Sequence, residues 1–181
     1  MLKAIPLLVA TVIIPFASYI DSPTIAKTPT SYHISQNTTQ STRIRYDRIG
    51  VGGVTLSMSE KQVRKILGKP VKVADGFVGI IGKTRTLTYS GITVDLAEGS
   101  KPGNFSVYEI KATASKYATP DGIKIGDKQD KLIRTYGRIE SSKEGNLTQF
   151  NYSIDKPSPT SFIFTVKNGK VIQIHCMDVF A

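Results

Sequence analysis

The chain has 181 residues, 40% hydrophobic and 21% charged, an ordinary globular composition with enough apolar residues for one domain, or for two very small units on a shared core. The formal net charge is +10, with Arg43, Arg45 and Arg48 grouped ahead of the folded region; this permits attraction to nucleic acid, anionic lipid or an acidic protein, although a well-solvated basic surface is the simpler reading. The single cysteine, Cys176, excludes an intrachain disulfide, and its apolar context marks a small buried hydrophobe rather than a nucleophile.

At the start of the chain, Lys3 precedes an apolar run from Ala4 to Ile20 that is interrupted by Pro6 and Pro15. A positive residue followed by such a run predicts a signal peptide over residues 1–26 or, if it stays uncleaved, an N-terminal membrane anchor. Thr24 and Ala26 are the best small-residue pair for cleavage. The expectation is an exported protein, periplasmic or secreted, or one held at the membrane by this apolar segment. No cysteine follows the run, which excludes a bacterial lipid-anchored precursor. Residues 27–48 are rich in Ser, Thr, Asn and Gln without a periodic apolar face, and read as a disordered linker.

From residue 49 the chain repeats itself. GVTLSMSEKQVRKILGKP from Gly53 lies over GIKIGDKQDKLIRTYGRI from Gly122 without a gap. LTYS at Leu87–Ser90 is then echoed by FNYS at Phe150–Ser153, and VYEIKA at Val107–Ala112 by VIQIHC at Val171–Cys176. Three matches in the same order point to a tandem duplication, residues 49–116 and 117–181. In the first copy, Ser59 and Gln62 form a capping box. Val63, Ile66 and Leu67 then share a helix face, Gly68 offers a left-handed stop, and Pro70 prevents continuation. In the second, Asp127 or its neighbour caps, Leu132 and Tyr136 form the stripe, and Gly137 ends the helix. Helices of about eight to ten residues are marginal in water, so packing must hold them.

Strands follow each helix. RTLTYSGITVDLA alternates around a Ser90–Gly91 hairpin loop, placing Leu87, Tyr89, Ile92, Val94 and Leu96 on one face and Thr86, Thr88, Thr93 and Asp95 on the other. Residues from Phe105 form a third strand with Tyr108 and Ile110 inward. Asn168–Gly169 predicts a type I′ hairpin between strands 160–167 and 170–177. The fold class expected is α+β: two tandem helix-plus-antiparallel-meander units with helices packed on one face of a sheet.

Little in the sequence points to catalysis. His33 and His175 have no partners at the spacing of a metal site or a nucleophilic triad, and IGVGGVT lacks the Gly-Lys-Ser/Thr ending of a phosphate loop. No enzyme activity, cofactor or metal is expected. Lys61, Arg64, Lys65 and Lys69 make the first helix basic, but its apolar stripe must face the core, which leaves the lysines as its solvated side. Nucleic acid is therefore not expected as a partner. Strict alternation about Asn168–Gly169 sets Ile163, Ile172, Ile174 and Cys176 on one face, with Phe162, Phe164, Val166, Val171, Gln173 and His175 on the other. If the helices cover the Ile/Cys face, the second set is an exposed apolar patch with a polar rim, a site for a protein partner. The competing assignment puts Phe162 and Phe164 in the core.

The spacing of Val54, Leu56, Ser59, Val63, Gly68 and Pro70, with a degraded second copy at Ile123, Ile125, Leu132 and Gly137, resembles an exported bacterial superfamily. Its members include the β-lactamase inhibitory protein and the small outer-membrane lipoproteins of the β-barrel assembly machinery. The resemblance spans residues 50–181 and implies two stacked helix-and-sheet units whose open sheet face binds another protein. The chain departs from these relatives in having neither disulfides nor an anchoring cysteine. Beside this non-enzymatic binding module stands an alternative, a membrane-tethered structural envelope protein with a basic surface.

Overall fold

Ile44 is already docked on the fold, ahead of residue 49, the expected start of the folded region. The structure, a computed structural model, describes residues 43–155 and 159–178; the signal or anchor segment 1–26 and residues 27–42 of the expected linker lie outside the described residues. Ile44 is buried and forms a parallel bridge with Ile154, its amide donating to the Ser153 carbonyl at 3.0 Å. Tyr46–Arg48 then make a single 3-10 turn. Residues 44–48, expected to belong to the linker, are therefore docked on the fold, because one apolar side chain and a backbone partner distant in sequence suffice to hold them.

Strands β1 (Gly50–Val51) and β2 (Val54–Thr55) form a tight hairpin over Gly52–Gly53 that buries Ile49, Val51 and Val54, so IGVGGVT is a packed lead-in turn. Helix α1 (Glu60–Leu67) follows, then β3 (Lys72–Val78), β4 (Gly82–Tyr89), β5 (Ile92–Glu98) and β6 (Phe105–Ala112). After a loop come α2 (Gln129–Tyr136), β7 (Ser142–Glu144), β8 (Leu147–Tyr152), β9 (Thr160–Lys167) and β10 (Lys170–Asp178). The described residues are thus mixed α+β, with two α-helices and an antiparallel sheet of eight strands in the order β3-β4-β5-β6-β10-β9-β8-β7. The sequence pattern did not reveal β3 and β7. Both are edge strands exposed along their length, and no burial enforces alternation there.

Local signals explain how each helix begins and ends. Ser59 Oγ accepts from the Gln62 amide and Gln62 Oε1 from the Ser59 amide, the capping box read from the sequence. The N-cap of α2 is Lys128, which has no side-chain cap. Its first amide, Gln129 N, donates instead to the Gly169 carbonyl at 2.9 Å, so the β9–β10 hairpin does the capping. Asn168 and Gly169 both sit at positive φ, 51° and 71°, as a type I′ turn requires. At the other ends, the Tyr89 hydroxyl donates to the Gly68 carbonyl (3.4 Å) and the Tyr152 hydroxyl to the Gly137 carbonyl (3.0 Å). Each phenol satisfies a carbonyl that the helix terminus leaves unpaired.

The sheet buries one face. Val63 from α1 and Leu132 and Tyr136 from α2 join Leu87, Val94, Leu96, Ile110, Phe150, Tyr152 and Ile174 in one cluster. Phe162, Phe164, Val166 and Val171 belong to it too, at 0%, 0%, 2% and 0% exposure. The exposed aromatic patch expected on that strand pair is thus corrected: Phe162 and Phe164 are core, their rings 4.7 Å apart and 5.6 and 5.4 Å from Tyr136. The cause is a one-residue bulge. Val166 pairs with Val171 but Thr165 pairs with Gln173, so Ile172 is an extra residue and every later side chain of β10 changes face. Ile174 and Cys176 then oppose Phe164 and Phe162 within the core, while Gln173 and His175 lie on the other face. A matching bulge occurs in β6, where Asp95 pairs with Glu109 and Leu96 with Val107, leaving Tyr108 as the extra residue.

Truncating Phe162 to Ala is expected to cost about 3–5 kcal/mol, whereas Ile66→Ala on the exposed side of α1 should cost less than about 1 kcal/mol. Urea denaturation of both variants checks this, and equal losses would contradict the core assignment.

Candidate functional site

On the face of the sheet opposite the core, the register assembles a charged cluster at the β6–β10 seam. Lys111 pairs with His175 and Glu109 with Met177 across that seam, while Asp95 and Thr93 of β5 pair with Glu109 and Lys111. Around them stand Thr86 and Thr88 of β4, Ile163 and Thr165 of β9, and Gln149 and Asn151 of β8, placed there by two-residue alternation. Neither helix buries its apolar residues against this face.

Glu109 is the hub. Its Oε1 accepts from His175 Nε2 at 2.8 Å and is ion-paired with Lys111 Nζ. The carboxylate is 13% exposed and His175 is 19% exposed, whereas Lys111 reaches further out at 43%. The hydrogen bond to His175 pulls the Glu109 carboxyl down to about 2, helped by Lys111 and opposed by burial. Asp95 goes the other way. Burial raises it, offset in part by the Thr86 hydroxyl that donates to Oδ1, and the Glu109 charge adds to the rise. Tyr108, delivered by the bulge, is pushed up to about 12 by burial, with the charges of Asp95 and Glu109 contributing. Two neighbouring carboxyl groups are thus driven in opposite directions, one tied to the His175 ring and the Lys111 ammonium and one held by a hydroxyl donor.

Of the residues expected to form the partner site, the structure places Gln173 and His175 on this open face and Phe162, Phe164, Val166 and Val171 in the core. Sequence reasoning noted Glu109 and Lys111 as the repeat counterparts of Gln173 and His175 but did not bring them to His175. That contact depends on the β6–β10 register, which sets Lys111 opposite His175 and Glu109 one pair further on, opposite Met177. Cys176 is fully buried, and burial pushes its thiol up, away from thiolate chemistry.

A cleft of about 820 Å³ lies elsewhere, between the start of α1 and the β5–β6 loop, lined by Ser59, Glu60, Lys61, Lys101, Asn104 and Phe105 among others. Beside it Arg85 grips Asp75 through Nε and Nη2 at 2.6 and 2.9 Å, reaches Glu60 at 3.0 Å, and stacks its guanidinium 4.4 Å above the Phe105 ring. Glu60 is also paired with Arg64. These groups satisfy one another, and the arrangement ties α1 to the sheet. Among the described residues, no three His, Cys, Asp or Glu side chains converge to hold a metal ion, and no helix is long and apolar enough to cross a membrane.

No protein-family model matches the chain, and no curated protein matches it. Two solved structures are similar. One is an extracellular protein containing an SCP domain from Bacillus anthracis strain Ames, with 12% identity and TM-score 0.42, covering 85% of this chain and 50% of that one. The other, a putative β-lactamase inhibitor protein from Streptococcus mutans, has 16% identity and TM-score 0.27, covering 63% of this chain and 78% of that one. The chain spans half the length of the first.

Linkage sets the pH behaviour of the cluster. A carboxyl depressed in the folded state adds stability that is present above its ordinary value of 4.5 and is lost as pH falls toward about 2. Glu109→Gln should therefore lose about 1–3 kcal/mol at neutral pH and show a flatter decline than wild type between pH 4.5 and about 2. Parallel stability–pH curves from chemical denaturation would refute the assignment.

Proposed function

We propose that this protein is an exported, non-enzymatic module that binds another protein, an envelope or secreted one, through the open face of its sheet. The observation that carries the reading is a broad polar face, left uncovered by both helices, with the ordered Asp95, Glu109, Lys111 and His175 cluster at its centre. Polar groups already paired in the free protein offer a partner directional hydrogen bonds at small ordering cost, and the bordering Thr, Gln and Asn side chains supply the polar, solvent-accessible rim usual at such contacts. Gln173 and His175 remain in the proposed site. Glu109, Lys111 and Asp95 join it, and the buried phenylalanines leave it.

The same reading takes residues 1–26 as the export signal, or as an anchor where it is not cleaved, and residues 49–116 and 117–181 as duplicated copies of one helix-and-meander unit within the expected BLIP-like superfamily. Support for the duplication comes from contacts that recur at corresponding positions. Tyr89 and Tyr152 donate to the carbonyls of Gly68 and Gly137. The bulges at Tyr108 and Ile172 correspond, and the approaches to both helices pair with Val107 and Val171.

A photo-reactive amino acid placed at Asn151 or Thr88 on the open face should crosslink one protein in the native envelope or secreted fraction, while the same group at Arg134 on α2 should not. Lys111→Glu and, independently, Asn151→Arg should weaken capture about tenfold or more, the expected scale for a charged or central contact, with folding checked by circular dichroism. Adducts from Arg134 alone, or capture unchanged by both substitutions, would overturn the reading. Mass measurement of the mature N-terminus separates a cleaved signal from an anchor.

A further inference from the structure

The tip of the β3–β4 hairpin gathers three of the exposed apolar residues found among the described residues. Phe77 is 73% exposed, Val78 44% and Ile80 84%, with the turn closed by a hydrogen bond from the Ile81 amide to the Val78 carbonyl at 2.8 Å. From Phe77 to Gly82 the chain runs FVGIIG, without a charge. A soluble monomer gains nothing from displaying an aromatic ring and an isoleucine at the tip of a projecting turn, and such patches mark contact surfaces.

The surrounding charge indicates what kind of surface they meet. Nearby acids are neutralised within the protein: Glu60 by Arg64 and Arg85, Asp75 by Arg85, and Glu98 by Lys83 and the Gly103 amide. Lys61 and Lys101, both exposed, make no ion pair among the described residues, whereas Lys69 and Lys72 lie at the other end of β3, where Lys72 pairs with Thr88. Because Thr84 pairs with Ala97 and Glu98 with Phe105, the β5–β6 loop carrying Lys101 lies at the same end of the sheet as the hairpin tip. Lys61 faces Lys101 across the cleft there. The result is an apolar tip bordered by uncompensated positive charge, the chemistry that complements an anionic headgroup layer over an acyl boundary.

We propose that the β3–β4 hairpin is a peripheral docking element for an anionic lipid bilayer, with Phe77, Val78 and Ile80 entering the interface and Lys61 and Lys101 lying at the headgroups. Depth is limited by β3 itself. As an edge strand it keeps unpaired backbone groups along its free side, which hydrocarbon would not satisfy, so the strand body stays at the water side and only the tip inserts. This surface is separate from the open sheet face, so each can fail without the other, and it acts whether or not the N-terminal segment is retained.

The chain contains no tryptophan, so Ile80→Trp in the full-length protein gives a unique reporter at the tip, and Gln149→Trp one on the far half of the sheet. Adding vesicles of phosphatidylglycerol mixed with phosphatidylcholine should blue-shift the emission of the Ile80→Trp protein and expose it to quenching by brominated lipid. Phosphatidylcholine alone should not, and the Gln149→Trp protein should not respond to either. High salt should reverse the shift, and Phe77→Ser in the Ile80→Trp protein should raise the lipid concentration for half-maximal shift about tenfold or more. Since Phe77 is exposed, that change leaves the core intact. The proposal is overturned if the tip reporter stays unshifted, responds equally to both lipids, shifts together with the Gln149→Trp reporter, or shifts on concentrating the protein without lipid.

Discussion

The antiparallel pairing of β6 with β10 is the contact on which the rest of the structure depends. Each half of the chain supplies one short helix and four strands, too little to bury a stable core alone. Joined through Ala112↔Ile174, Lys111↔His175 and Ile110↔Cys176, the two meanders become one eight-stranded sheet, and their apolar faces merge under both helices. That register must be kept. A slip by one residue would bring Lys111 and Glu109 to the core and expel Ile110 and Ala112.

The same register explains why charged groups gather where they do. Residues next to the core pairs on these two strands have only the other face to occupy, and the pairing of Lys111 with His175 and of Glu109 with Met177 brings their side chains together at the seam. A half-buried carboxylate held by a lysine and a histidine brings little net stability compared with apolar packing of similar volume. The core on the opposite face already supplies the cohesion. The cluster suits the proposed binding role, for which its placement on the two central strands of the sheet would offer a partner fixed geometry.

Legibility in the sequence followed how local the physics is. The capping box of Ser59 and Gln62 and the Asn168–Gly169 turn are determined within a few residues, and the alternation through Leu87–Leu96 is enforced by burial on one face; all three could be read directly. The faces of β9 and β10 could not, because the single bulged residue Ile172 leaves no compositional mark and inverts what alternation implies beyond it. Lead-in pairing at Ile44 and the Glu109–His175 bond also escaped, since each joins segments far apart in the chain and depends on a register that only the assembled sheet defines.

Beyond the seam, the two ends of the sheet are under no shared constraint, and there they differ most. β7 is three residues long, Ser-Lys-Glu, exposed and polar, a composition that discourages pairing with another chain. β3, at the opposite end, runs for seven residues and carries Val73, Phe77 and Val78 in the open. Under the proposed duplication both edges descend from one unit, so the skeleton contacts common to the halves, phenol to helix-end carbonyl and bulge to helix approach, record what the fold demands. The edges record what it leaves free. A sheet that can lose apolar character at one edge without losing its fold has no structural reason to keep it at the other, and the retained Phe77–Ile81 turn therefore belongs with the open face as a feature directed at surroundings rather than at the core.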